Sequence, residues 1–158
     1  MHNALIVVDA WKATPEHDLV QFPALATENK LYGQYLNHLL SSIRSTTTIF
    51  HNPSRPWLDI MDEIDTSQDK IVHTMNEVSV TDFDNYFFCG FHLGRCVRQK
   101  MHEFNELGVS KSKMGVVLNM TSLYPDDSFI TMHFDKRYNA YNTYMYSHKM
   151  GFECTNIM

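Results

Sequence analysis

The sequence contains no long hydrophobic run. The longest apolar stretch near its N-terminus, residues 4–8, is interrupted by Asp9, whereas a helix that crosses a bilayer needs roughly 20 predominantly apolar residues. The stretch also lacks the preceding basic segment and the cleavage-type end of a signal peptide. We therefore expect no membrane partner and a cytoplasmic protein.

Cysteine is scarce as well. The three cysteines, Cys89, Cys96 and Cys154, have neither the even number nor the regular spacing of a secreted disulfide framework. Reduced thiols in a cytoplasm are the simpler interpretation.

Excess positive charge and metal-binding motifs are also absent. With 13 Lys and Arg against 18 Asp and Glu, a net charge of -5, the chain lacks the concentrated basic surface that nucleic-acid binding requires. Its nine histidines form no H-x-x-x-H or H-E-x-x-H pair, the spacings typical of zinc sites on helices. We therefore predict no nucleic-acid partner, no metal site and no cofactor.

Glycine-rich phosphate loops are missing too. No G-x-G-x-x-G or G-x-x-x-x-G-K-[ST] sequence follows any apolar run, and Gly90-Phe-His-Leu-Gly94 is only a poor match. A nucleotide-binding domain is therefore a minor alternative.

What is present is typical of one globular domain. The 158 residues are 44% hydrophobic and 13% aromatic, enough to bury a core without disulfides. We find no internal repeat, low-complexity tract or linker and treat residues 1–158 as a single domain.

Apolar runs and helical periodicities alternate along the chain. Runs rich in β-branched and aromatic residues predict strands, and apolar residues at spacings of three and four predict helices. The predicted strands are residues 4–8, 46–50, 71–73, 86–89, 114–120 and 152–157, and the predicted helices are residues 27–44, 95–107 and 139–150. This alternation indicates an α/β fold with three layers, a doubly wound and mainly parallel six-stranded sheet.

The first predicted helix carries the clearest apolar stripe. Leucine, isoleucine and tyrosine recur there at spacings of four, and two further leucines widen the stripe. Its members are Leu31, Tyr35, Leu39 and Ile43, with Leu36 and Leu40 beside them. Thr27 or Asn29 is the predicted N-cap.

Polar residues gather at the predicted strand ends, where ligands bind in doubly wound sheets. Asp9 follows the first strand, His51 the second and His73 the third, and a turn from Gly90 to Cys96 follows the fourth. The candidate substrate-binding residues at or beside these ends are Trp11, His51, Phe91, His92 and Arg95.

Cys96 falls in the first turn of the second predicted helix. Unpaired amides and the helix dipole there favour an anion, so a thiolate is stabilised and an oxyanion could be held. The alternative is a buried cysteine that does no chemistry, as is common for free cysteine. Cys89 and Cys154 lie within predicted strands and are expected to be core residues.

These segments resemble the isochorismatase-like hydrolases, which include nicotinamidases. The first similarity is Ala4-Leu-Ile-Val-Val-Asp9-Ala-Trp11, and the second is Cys89-Gly90 through Cys96-Val97. A weaker one covers Val116-Val117-Leu118-Asn119 and the segment from Met145 to Thr155. The chain thus resembles a shortened, divergent member of the family over most of its length.

The resemblance implies a cysteine hydrolase that cleaves the carbon-nitrogen bond of a small amide through a thioester. Asp9 would be the base and Cys96 the nucleophile, with the amides of Arg95 and Cys96 as oxyanion donors. The family has a lysine where this chain has His73, so His73 becomes the third catalytic candidate, and Lys70 would fit only if the register slipped. The metal ligands of nicotinamidase-type members are not matched after the second strand, because that segment reads His51-Asn52-Pro53.

The same departures leave a second hypothesis open. In it the chain is a catalytically inactive isochorismatase-like protein that serves as a binding or assembly module. The family habit of oligomerising, with the aromatic residues of the C-terminal part, predicts a homo-oligomer. These aromatic residues are Phe129, Phe134, Tyr138, Tyr141, Tyr144 and Tyr146.

Overall fold

The computed structural model describes residues 2–11, 25–53, 59–91, 96–122 and 153–155. The strands are β1 (Asn3–Val8), β2 (Thr47–Asn52), β3 (Lys70–Ile71), β4 (Asn85–Phe91), β5 (Met114–Ser122) and β6 (Glu153–Thr155). The helices are α1 (Leu25–Ile43) and α2 (Arg98–Glu106), and short 3-10 turns cover Met75–Glu77 and Lys111–Lys113. The predicted helix over residues 139–150 lies outside the described residues.

The six strands form one sheet in the order β3-β2-β1-β4-β5-β6. Each pair of neighbouring strands is parallel. The order reverses between β1 and β4, and in doubly wound sheets the crevice at such a switch point is the usual place for a ligand. The predicted mainly parallel six-stranded sheet is confirmed.

Helices cover both faces of the sheet. Alternate residues of β1 point to opposite faces, so Ala4, Ile6 and Val8 pack on the side of α2. Leu5 and Val7 pack on the side of α1. A strand buried on both faces reads as a continuous apolar run, which is why the sequence predicted β1 well.

The buried face of α1 differs from the predicted stripe. Leu36, Leu39 and Leu40 are buried, but Leu31 and Tyr35 are 49% and 68% exposed. The true stripe is rotated by about one residue, because Tyr32 rather than Leu31 packs against the core. The helix also begins at Leu25, so the predicted N-cap at Thr27 or Asn29 is wrong.

A segment after β2 packs across α1 at Gly33. A Cβ at Gly33 would lie 3.0 Å from Cβ of Glu63, so the absence of a side chain lets the segment approach the helix. The N–H of Met61 donates to the carbonyl of Ala10 (3.1 Å), and Trp11 forms an antiparallel bridge with Ile60. This contact holds the chain that leaves β1.

The connection from β3 to β4 contains no α-helix. All of it is described, and it holds only the Met75–Glu77 turn. A carboxylate oxygen of Glu77 accepts hydrogen bonds from the N–H groups of His73 (2.7 Å) and Thr74 (2.8 Å). The sequence predicted only a short connection between these two strands, and the structure has one without an α-helix.

The strand ends differ from the prediction at several places. β2 runs to Asn52, so His51 lies within the strand and not after it as predicted. The fourth strand does not stop at Gly90, because Gly90 and Phe91 still pair with Thr121 and Ser122 of β5. β3 is Lys70–Ile71 and His73 lies beyond it. No helix in the described part of the chain is long and apolar enough to span a membrane.

Candidate functional site

Asp9 stands at the carboxyl end of β1, next to the switch point. Its φ is 55°, a left-handed conformation that is uncommon for residues other than glycine but is tolerated by aspartate. Its side chain is buried, and its N–H donates to the carbonyl of Asn52 (3.0 Å). Such backbone conformations concentrate at functional sites.

Gly90 lies opposite Val8, the residue before Asp9. Its φ is +117°, and an added Cβ would come within 2.0 Å of the Val8 carbonyl oxygen. Only glycine fits this position, since any side chain would collide with the backbone of β1. Gly90, the second residue of the Cys-Gly pair noted in the sequence, therefore allows β4 to approach β1 closely at the switch point.

Cys96 is half-buried and packs against the cluster that contains Val8. Cys96 and Val97 form a π-helical turn that leads into α2 at Arg98, whereas the predicted helix begins at Arg95. Residues 92–95, which include the candidates His92 and Arg95, lie outside the described residues. Cys96 is thus on the α2 face of the sheet.

Cys89 has a different environment. Its side chain is fully buried, and this burial raises the pKa of its thiol to about 12, although a hydrogen bond with Tyr32 opposes the shift. A thiol in this state is inert. The prediction that Cys89 is a core residue is confirmed, whereas the side chain of Cys154 lies outside the described part.

His73 lies on the edge strand side of the sheet. It follows β3, which is separated from β1 by β2, and its side chain is exposed. Hydrogen bonds from the Thr74 and His73 amides lower the pKa of Glu77, and the nearby His73 charge acts in the same direction. The structure therefore places Asp9 directly after β1, Cys96 before α2 on the chain that follows the neighbouring strand β4, and His73 two strands from Asp9.

Lys70 does not reach the end of β3. It pairs with Phe50 at the start of β3, and its Nζ lies 5.7 Å from the centre of the Phe50 ring. The structure does not have the slipped register that the Lys70 alternative required. Lys70 therefore does not occupy the place of the family lysine.

His51 belongs to a buried ionic cluster. Its Nε2 is 2.8 Å from Oδ2 of Asp69, and Arg44 donates to both oxygens of Asp69 at 2.9 Å. Burial lowers the pKa of His51 more than its hydrogen bond with Asp69 raises it, so the ring is neutral near pH 7. Ile49 faces α1, and alternation along β2 places His51 on that same face, opposite to Cys96.

The remaining aromatic candidates flank the strand ends. Trp11 is half-buried and lies beyond Asp9 in the bridge to Ile60. The ring of Phe91 packs on Tyr32 with centroids 4.5 Å apart, and both rings lie on the α1 face.

Asn52 is a candidate that the sequence patterns did not reveal. Its Nδ2 donates to the carbonyl of Val72 (3.0 Å), and its own carbonyl accepts the N–H of Asp9. It therefore links the ends of β1 and β3 across β2. The only signal was an asparagine at the end of a β-branched and aromatic run, but followed by Pro53 it resembled an ordinary strand stop.

The arrangement combines a carboxylate and an accessible thiol at one switch point. A carboxylate can accept a thiol proton, and the resulting thiolate is a strong nucleophile for carbonyl carbon. Among the described residues no group of three or more His, Cys, Asp or Glu side chains could hold a metal ion.

No protein-family model matches the sequence, and no curated protein matches it. Solved structures do resemble it. An isochorismatase-like hydrolase from Alkaliphilus metalliredigens aligns with a TM-score of 0.64 at 10% identity, over 99% of this chain and 95% of that one. The N-carbamoylsarcosine amidase from Thermoplasma acidophilum aligns with a TM-score of 0.61 at 14% identity, over 99% and 96% of the two chains.

The yeast nicotinamidase bound to nicotinaldehyde is also similar, with a TM-score of 0.60 at 13% identity, over 98% of this chain and 99% of that one. The chain therefore has the isochorismatase-like α/β three-layer fold. The resemblance inferred from the short sequence motifs is confirmed for the fold.

Proposed function

We propose that the protein is a cysteine hydrolase that cleaves the carbon-nitrogen bond of a small amide. One observation carries the proposal: Asp9, with its left-handed backbone, directly follows β1 at the switch point, and the half-buried Cys96 lies between the neighbouring strand β4 and α2. Two proteins of the same fold, an N-carbamoylsarcosine amidase and a nicotinamidase, are amidases by name.

In the proposed reaction Asp9 takes the proton from the Cys96 thiol, and Sγ forms a bond with the amide carbon. The carbonyl π pair moves to oxygen and the C–N bond then breaks, while the proton on Asp9 passes to the leaving amine. The product of this first half of the reaction is a thioester on Cys96. Water then attacks the thioester carbon while Asp9 takes a proton from the water. The C–S bond breaks, the acid is released, and the proton on Asp9 passes to Sγ to restore the thiol.

His73 is proposed as the third member, in the place of the family's lysine. A protonated imidazole can stabilise a neighbouring thiolate. The Asp9 N–H donates to the Asn52 carbonyl, and Nδ2 of Asn52 donates to the Val72 carbonyl; these two hydrogen bonds support a fixed relation between the ends of β1 and β3.

The inactive binding module is the alternative, and it too has support. His73 is exposed on the edge strand side, Lys70 is directed to Phe50, and only a short turn replaces the connecting helix. With these features the site lacks the family's catalytic lysine and part of the wall of the substrate pocket.

Trapping the thioester separates the two functions. The protein is mixed with a set of small amides, quenched in acid and analysed by peptide mass spectrometry, with Asp9→Asn and Cys96→Ser as variants. We expect an acyl adduct on Cys96 alone, removable by hydroxylamine and absent from both variants. Amides that bind, with no adduct and no released amine or ammonia at any pH from 5 to 9, would support the module instead.

The cytoplasmic location and the homo-oligomer remain predictions of this proposal. The aromatic residues on which the homo-oligomer was predicted lie outside the described part of the chain. Sedimentation velocity at several protein concentrations measures the oligomeric state directly, and a monomer at every concentration would contradict the prediction.

A further inference from the structure

Two buried side-chain atoms have no hydrogen-bond partner among the described residues, Oδ1 of Asn52 and Nδ1 of His51. Unpaired buried polar atoms are rare in native structures and require an explanation. The two lie on opposite faces of the sheet, because residues 51 and 52 are consecutive in β2. Only Asn52 is on the face where Cys96 packs, since it pairs in register with Val8.

The orientation of the Asn52 carboxamide is fixed. Its NH2 group must face the Val72 carbonyl, to which Nδ2 donates at 3.0 Å, so the oxygen faces the other way. Its backbone carbonyl holds the N–H of Asp9. The unpaired Oδ1 is thus a rigid, buried acceptor beside the proposed base, on the face of the proposed nucleophile.

We infer that Asn52 is a specificity-determining residue whose Oδ1 accepts a hydrogen bond from an N–H group of the molecule bound at Cys96. The inference rests on the proposed function and narrows the substrate class to amides that carry an N–H. Esters, ketones and fully substituted amides have no donor and leave Oδ1 unpaired. A site built to hydrogen-bond one substrate group discriminates strongly against analogues that lack it.

Two alkylating agents test the inference without turnover. In 2-iodoacetamide the amide carries two N–H groups, and in N,N-dimethyl-2-iodoacetamide it carries none. With either, Sγ of Cys96 bonds to the CH2 carbon, iodide leaves, and the thiol proton passes to base. The measured quantity is the ratio of the two labelling rates at Cys96, divided by the same ratio for the protein unfolded in urea.

For the native protein we expect this normalised ratio to be roughly three to ten, the discrimination of one neutral hydrogen bond. In Asn52→Leu it should fall to about one. Asn85→Leu is the matched control, because Asn85 begins β4 at the opposite end of the sheet and donates to Asn3. That variant should keep the native ratio.

Cys89 reports on folding in each sample, since a fully buried thiol is not labelled until the chain opens. If Asn52→Leu unfolds and exposes Cys89, the normalised labelling ratio of the native protein alone still tests the inference. A native ratio of about one overturns the inference and assigns Oδ1 to an internal water. The thioester experiment is independent of this ratio. A native ratio of three to ten with no thioester would contradict only the proposed hydrolase activity. A thioester with a native ratio of about one would contradict only the proposed role of Asn52.

Discussion

Gly90 is important for both the fold and the candidate site, because it pairs with Val8, the residue before Asp9. We expect Gly90→Ala to destabilise the protein by about 2–4 kcal/mol, because the new Cβ would collide with the Val8 carbonyl in a left-handed backbone. Gly108→Ala is the matched control. Its φ is +108° but nothing lies within 4 Å, so it should cost only about 1 kcal/mol.

Urea denaturation of both variants measures these free energies of unfolding. Equal losses in the two variants would mean that β1 and β4 can separate at this point. The candidate site would then be less rigid than the pairing of Val8 with Gly90 implies.

At the scale of elements, the ionic cluster of Arg44, Asp69 and His51 ties the end of α1 to β2 and β3. Burial opposes ionisation of Asp69, but hydrogen bonds from Arg44 and His51 outweigh it and lower the pKa of Asp69. The pKa of His51 is lowered by burial. Both shifts mean that the unfolded chain binds protons that the folded protein does not, so acid destabilises the fold.

We expect the free energy of unfolding to be constant between about pH 7 and 8 and to fall as the pH drops below about 6.5, where an unfolded-state histidine becomes protonated. Asp69 adds a further loss below about pH 3.9. In His51→Gln the loss between pH 6.5 and 5 should shrink, whereas His38→Gln, a change at an exposed residue of α1, should keep the native profile. Parallel profiles for the native protein and His51→Gln would contradict this account.

The elements also show what the sequence could predict. β1, β2, β4 and β5 were found within about two residues because buried parallel strands are continuous apolar runs. β3 was misplaced, since it is two exposed residues long, and Gly90 was taken as a stop although it is the residue that permits close pairing. Asp9 and Cys96 became candidates because of their places after strands, whereas Asn52 is linked to residues 9 and 72 by hydrogen bonds, which no local pattern reveals.

At the scale of the whole molecule, the sheet collects the ends of β3, β2, β1 and β4 along one edge. Asp9 and Cys96 lie beside the reversal in strand order, and His73 lies at the outer end of this row. The proposed reaction therefore depends on whether a charge on His73 acts across β2 and β1 on the thiol of Cys96, which follows β4. The short turn after β3 leaves His73 exposed, so substitutions there should not disturb the core.

Replacing His73 by lysine and by alanine tests that dependence. If His73 stabilises the Cys96 thiolate, His73→Ala should slow labelling of Cys96 by 2-iodoacetamide about two- to threefold at low ionic strength, because a positive charge favours the thiolate over this distance only weakly. His73→Lys should be labelled at least as fast as the native protein, because lysine places a positive charge at the same position. His38→Lys adds the same charge on exposed α1 and should not change the rate, whereas equal rates in all four proteins would remove His73 from the site and favour the inactive module.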